Sequence, residues 1–170
     1  MTLAELRRLD AGYWFNDGGR GEYRCRGGGI QVPTLAELLE AFPGVPLNIE
    51  IKQLQPEIED LVLADLDAAG ARDLTLLAAE HGEIMTRIRA RAPGMLSGSS
   101  TADVADFIHR LHNGTLAGYR APGFALQIPP SFGGTELVTT ESVAAAHDLG
   151  PEVHLWTIND ESEMEMGSAP

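Results

Sequence analysis

A chain of 170 residues is long enough for one domain with a sizeable core, and a formal charge of −13 excludes nucleic acid or an anionic membrane surface as a partner held by bulk electrostatics. The single cysteine, Cys25, excludes an internal disulfide and a cysteine-based metal cluster. No run is long and apolar enough to cross a bilayer and no signal-peptide pattern opens the chain, so a soluble, cytoplasmic protein without an integral membrane segment is expected.

The first predicted element is a short helix. Thr2 to Glu5 has the spacing of a capping box, Leu3, Leu6 and Leu9 share one side, and Gly12 is expected to end the helix. The aromatic trio Tyr13-Trp14-Phe15 follows, and residues 16–29 are rich in glycine and charge with neither helical nor strand period, so they form a loop. Its glycines do not make a phosphate-binding fingerprint, because no strand enters the loop and no helix follows at the required distance. Arg20, Arg24 and Arg26 are phosphate-binding side chains by type, or simply the charges of a solvated loop. A second capping box, Thr34 to Glu37, opens a helix over 35–42 with Leu35, Leu38, Leu39 and Phe42 as its buried side, stopped by Pro43 and Gly44.

The central stretch is Pro46-Leu47-Asn48-Ile49-Glu50-Ile51-Lys52-Gln53. Strand geometry sends Leu47, Ile49 and Ile51 to one face and Asn48, Glu50 and Lys52 to the other. Helical patterns on both sides, over 35–42 and 57–69, predict a parallel α/β sheet or barrel, in which the apolar stripe meets the helices and the polar stripe points inward. A buried carboxylate and ammonium there require a metal, an anion or each other. The twelve basic residues are eleven arginines and one lysine, Lys52, which singles out its ammonium for chemical use. The plainer reading is a contact between Glu50 and Lys52 along one strand face, or solvated charges on an exposed edge.

Pro56 starts the next helix, with Ile58, Leu61, Val62 and Leu66 facing the core and Gly70 at its end. The apolar run 73–79 has the length of a strand buried on both faces, and Glu80 and His81 stand just beyond it, at the rim that holds Lys52 if the strands are parallel. For Glu80 the plainer role is at a helix N-terminus, and for His81 a surface position. Ile84 and Ile88 mark an amphipathic helix closed by Pro93-Gly94; Met95 to Gly98 is a weak strand; Thr101 is expected to cap a helix carrying Val104, Phe107, Ile108 and Leu111. His109 and His112 have no acidic partner at helical spacing and belong to a solvated face. A strand over 123–130 is terminated by Pro129 and Pro130, Thr139-Thr140 caps a helix with Val143, Ala146 and His147 ended by Gly150, and a strand over 153–160 runs into a tail with no further strand. Five strand segments alternate with helices, and a complete eight-stranded barrel takes roughly 250 residues, so the expectation is a smaller open sheet or part of something longer.

The series Leu9-Asp10-Ala11-Gly12, Val32-Pro33-Thr34-Leu35-Ala36-Glu37, Asn48-Ile49-Glu50-Ile51-Lys52, Ala125-Leu126-Gln127-Ile128-Pro129, Ala146-His147 and Trp156-Thr157-Ile158-Asn159-Asp160 resembles the glycerophosphodiester phosphodiesterases, in that order and spacing, across nearly the whole chain. The resemblance implies a TIM-barrel fold and hydrolysis of glycerophosphodiesters to glycerol phosphate and an alcohol with a divalent cation, Mg2+ or Ca2+. It makes Glu50 a metal-ligating carboxylate, Lys52 a catalytic and substrate-binding cation beside the phosphate, and Trp156 an aromatic at the active-site mouth, whereas Trp156 read by itself is equally a core residue on a buried strand. It further implies an α/β, partial TIM barrel without the family's N-terminal His-Arg-Gly, Glu-x-Asp and His-Asp strands or its closing C-terminal strand. The expectation is therefore an incomplete domain over 1–170, with a loop insertion at 16–32 and a non-homologous or frayed tail at 160–170, weakly active or inactive. The competing expectations are a non-catalytic remnant that binds a divalent ion or self-associates through open strand edges, and an unrelated small α/β domain.

Overall fold

The computed structural model describes residues 1–16, 19 and 21–167. Arg20 and the last three residues of the chain lie outside them. The chain divides into two compact units, Met1–Pro43 and Gly44–Pro170.

In the first unit α1 (Leu3–Leu6) and α2 (Leu35–Ala41) are both opened by the expected capping boxes, Thr2 with Glu5 and Thr34 with Glu37. In each box the threonine hydroxyl accepts from the backbone N–H three residues on, while the glutamate accepts from the threonine N–H, so two otherwise orphaned donors are satisfied. α1 is one turn long and does not reach Gly12. That glycine instead lets the backbone pass Cys25, since a Cβ at position 12 would lie 2.7 Å from both the Cβ and the carbonyl oxygen of Cys25. The expected buried sides are only partly realised: Leu39 is buried and Leu35 and Leu38 half-buried, but Leu3, Leu9 and Phe42 are exposed. Between the helices the described residues run largely through turns, as the absence of any period predicts.

In the second unit the main strands are parallel and follow one another in chain order. β1 (Leu47–Glu50) pairs with β2 (Thr75–Ala78), Leu77 bridges to Ser97, Gly98 bridges to Ala125, and β3 (Ala125–Ile128) pairs with β6 (Glu152–Leu155). The weak strand at 95–98 is therefore reduced to two bridges, yet it joins two strand pairs into one series. Three helices fill the crossovers in the βαβ rhythm that parallel strands require: α3 (Glu59–Ala68), α4 (Gly82–Arg91) and α5 (Thr101–His112). α6 (Thr140–Leu149) connects β3 to β6, after a hairpin of β4 (Ser131–Phe132) and β5 (Thr135–Glu136). Gly133 and Gly134 form its two-residue turn with φ of 58° and 81°, the positive values that such turns need at both positions. The strands observed form no closed barrel among the described residues.

The α3 surface differs from expectation. Leu63, Leu66 and Glu59 are buried and Leu61 is exposed. β2 is buried at all four positions, as its unbroken apolar run requires. Phe107 and Ile108 of α5 and Ala146 of α6 pack with Leu126 and Ile128 of β3, joined by Val153 and Leu155 of β6. The cap of α5 is Ser100 rather than Thr101, because Asp103 lies three residues beyond Ser100 and closes the box. Gly150 ends α6 in the left-handed conformation, φ 105°, as predicted. The tail beyond residue 160 begins with a helix, α7 (Glu161–Gly167).

Candidate functional site at the strand ends

Register decides which side chains share a face. Paired residues of parallel strands point the same way, and Leu76, Ala78 and Ala125 form one small cluster. Asn48 pairs with Leu76 and Glu50 with Ala78, so both lie on that face; across β3 and β6, Ala125 with Glu152 and Gln127 with His154 lie there too. The opposite face carries Leu126, Ile128, Val153 and Leu155 against α5 and α6. The polar stripe is thus on the face away from that helical core, as the alternation in 47–52 predicts. Gly98 makes room on it: a Cβ there would stand 2.9 Å from the Gln127 Oε1 and 3.3 Å from the Ala78 Cβ.

Glu50 is the last residue of β1, and Lys52 follows after Ile51, whose N–H donates to the Ala78 carbonyl at 2.8 Å. The Lys52 Nζ and the Glu50 Oε1 are 2.6 Å apart, with side chains 74% and 40% exposed. The sequence expectation of a buried pair is therefore corrected: the ion pair forms, but beyond the strand end, where water reaches both groups. The hydrogen bond to Glu50 holds the Lys52 ammonium above the usual lysine range, and the charges of Glu50 and Glu80 add to it. Glu80, two residues past β2, is thus electrostatically coupled to Lys52 at the same C-terminal edge, as parallel strands demand. His81 precedes α4 as its N-cap without a side-chain cap bond.

Trp156 follows β6 directly, its N–H donating to the Ile128 carbonyl at 3.2 Å, and it is 53% exposed. It is not a core residue, and its place is past the C-terminal ends of β3 and β6. His154 meets Glu152 at 2.9 Å on the same face. Neither Gln127 nor the Glu152–His154 pair stands out in the sequence as a site candidate; the signal was their even spacing along strands in register with β1. His109 is exposed beside Asn113 and His112 is exposed, as expected for a solvated face. Of the loop arginines, Arg24 pairs with Glu22 at 2.8 Å.

The donor chemistry for a hard divalent cation is present in kind but not in number. Such ions take six or more oxygen ligands, Glu50 already holds Lys52, and no group of three or more His, Cys, Asp or Glu suited to a metal is gathered among the described residues. These residues alone do not make a metal centre.

Parallel strands wound in sequential order, with charged side chains past their C-terminal ends, define an α/β protein of the class that places its chemistry at that edge. The model of the glycerophosphoryl diester phosphodiesterase family matches residues 1–169, and the chain belongs to that family. It is 30% identical over 147 residues to a protein of Mycobacterium tuberculosis named probable glycerophosphodiester phosphodiesterase 2, covering 81% of this chain and 53% of that protein. To the glycerophosphodiester phosphodiesterase of Bacillus subtilis it is 36% identical over 69 residues, 38% of this chain and 23% of the relative. The crystal structure of a glycerophosphodiester phosphodiesterase from Agrobacterium tumefaciens shares the fold, with a TM-score of 0.67 and 19% identity over 99% of this chain and 65% of that one. The chain thus spans about half the length of the Mycobacterium tuberculosis relative and less of the Bacillus subtilis one.

Proposed function

We propose that this chain contributes to a phosphoric diester hydrolase site for small glycerophosphodiesters, built on part of a TIM-type barrel. The observation that carries the reading is the Glu50–Lys52 pair, seated beyond the ends of parallel strands in a chain of this family. Lys52 is the residue to neutralise a phosphate oxygen as negative charge grows on the five-coordinate phosphorus. Glu50 is the residue that would donate one oxygen ligand to Mg2+ or Ca2+, which when bound would polarise the phosphate; the other ligands are not gathered among the described residues. Trp156 supplies an exposed aromatic wall for the glycerol or alcohol part of the diester.

The 170 residues by themselves are expected to turn over slowly or not at all. Phosphorus NMR of glycerophosphocholine with Mg2+ or Ca2+, at high protein concentration, tests this. Slow hydrolysis that disappears in E50Q and K52M supports the roles of Glu50 and Lys52. Full enzymatic rates, or turnover indifferent to both substitutions, would overturn them.

A second reading rests on a different observation. Among the described residues the outer edges of β1 and β6 have no strand partner. Open parallel edges favour pairing with another copy, so a non-catalytic, self-associating chain is the second proposal. Light scattering showing concentration-dependent dimers supports it, and a monodisperse monomer across the millimolar range argues against it.

A further inference from the structure

Arg26 has a setting that the proposed reaction does not use. Asp10 accepts from the N–H groups of Gly12, at 2.9 Å, and Gly27, at 2.7 Å, so its carboxylate joins two stretches of the loop, and the Ala11 N–H donates to the Ile30 carbonyl at 2.9 Å. On this base the Arg26 Nε donates to the Tyr13 carbonyl at 2.9 Å. The guanidinium carbon stands 4.0 Å from the Tyr23 ring centre, 4.2 Å from Tyr13 and 5.4 Å from Trp14. The rings brace one another edge-on, Tyr13 to Trp14 at 5.0 Å and Trp14 to Tyr23 at 6.2 Å.

Its neighbours spend their charge differently. Arg7 pairs with Glu37 and Arg24 with Glu22, while among the described residues no carboxylate pairs with Arg26 and its Nη groups donate to none of them. A guanidinium held over aromatic faces keeps its full charge, and its outer N–H groups remain available as a fork that matches an oxyanion. The surroundings do not oppose an anion strongly, since residues 1–43 hold five arginines against six carboxylates, whereas most of the chain's negative charge belongs to 44–170. Trp14, 75% exposed beside the guanidinium, adds an apolar surface that an organic ester can cover and a bare ion cannot.

We infer that Arg26, seated on Tyr13, Trp14 and Tyr23, binds the oxyanion of a phosphate ester. The inference does not rest on the roles proposed for Glu50 and Lys52. The ester is either a free glycerophosphodiester or the headgroup of a phospholipid, and the test separates these sources.

In the W156F variant Trp14 is the only tryptophan, so its emission reports the site. Glycerophosphocholine is titrated in one arm and phosphatidylcholine vesicles in the other. A saturable change in either arm is expected, weakened about tenfold or more in R26Q and unaltered in R24Q. Response to the soluble ester assigns a free phosphate ester, and response to vesicles a lipid headgroup. R26K keeps the charge without the planar fork, is expected to weaken binding several-fold, and serves where R26Q does not fold. No response in either arm, equal loss in R24Q and R26Q, or equal binding of acetate overturns the inference.

Discussion

Glu59 has no exposed surface, although it is a carboxylate near the start of a helix in the outer layer. Its burial is made tolerable by two arginines one turn apart on α4: the Arg87 Nε lies 2.8 Å from Oε1 and the Arg91 Nη1 3.1 Å from Oε2, with Glu57 beside both arginines. Burial pushes the Glu59 carboxyl up, but the Arg87 hydrogen bond and the two positive charges outweigh it and hold it below the usual range. Asp103 is held low in the same way, its burial outweighed by Arg89 and by the Ser100 N–H and hydroxyl. Both groups therefore stabilise the fold above the ordinary carboxylate range of about 4, and that contribution is lost as pH falls through their lower folded values. E59Q is expected to lower unfolding stability by about 2–3 kcal/mol at neutral pH and to flatten the acid limb of the stability curve, read by urea denaturation from pH 7 to 3. Glu50 and Lys52 contrast with this. Both are solvated, so E50Q and K52M are expected to leave the melting temperature essentially unchanged while removing any hydrolysis.

At the level of elements, helix starts were the most legible feature, because a capping box is a local pattern of four residues. Thr2, Thr34 and Thr139 cap as read; the shift from Thr101 to Ser100 follows from the position of Asp103, and α3 begins at Glu59 rather than at Pro56. S100A is accordingly expected to destabilise by about 1 kcal/mol and T101A by far less, a comparison that thermal melts can make directly. The buried faces of helices were less legible. In α3 periodicity favours Leu61 over Glu59, whereas packing chooses the reverse, because the arginines that satisfy Glu59 come from α4. The hairpin was missed although Phe132-Gly133-Gly134-Thr135 carries a two-glycine turn signal. Where strands meet, sterics dominate. A Cβ at Gly123 would fall 2.5 Å from the Gly98 carbonyl oxygen, backbone that cannot give way without disturbing the bridge to β3. G123A is expected to destabilise by about 1–3 kcal/mol, measurable by chemical denaturation.

For the molecule as a whole, the parallel series leaves β1 and β6 as edges among the described residues, and the charge of −13 works against their pairing. Raising the salt concentration screens that repulsion, so any self-association is expected to strengthen between about 0.05 and 0.5 M NaCl, seen as a rising mass by light scattering. Loss of mass with salt would instead attribute the association to ion pairs. No helix of the described residues is long and apolar enough to cross a membrane.

The alternation around Glu50, the unbroken apolar run of β2, the capping boxes and the motif series that reveals the family are all written in neighbouring residues, so the sequence alone determined the α/β class and put Glu50 and Lys52 on one strand face. Tertiary structure decided the rest: the register that puts Gln127 and His154 on the face of Glu50, the exposure of the ion pair past the strand end, the burial of Glu59 against α4, and the aromatic seat of Arg26. Each of these depends on residues brought together from separate stretches of chain, and pairing across such distances is set by packing and backbone register, which no local pattern encodes.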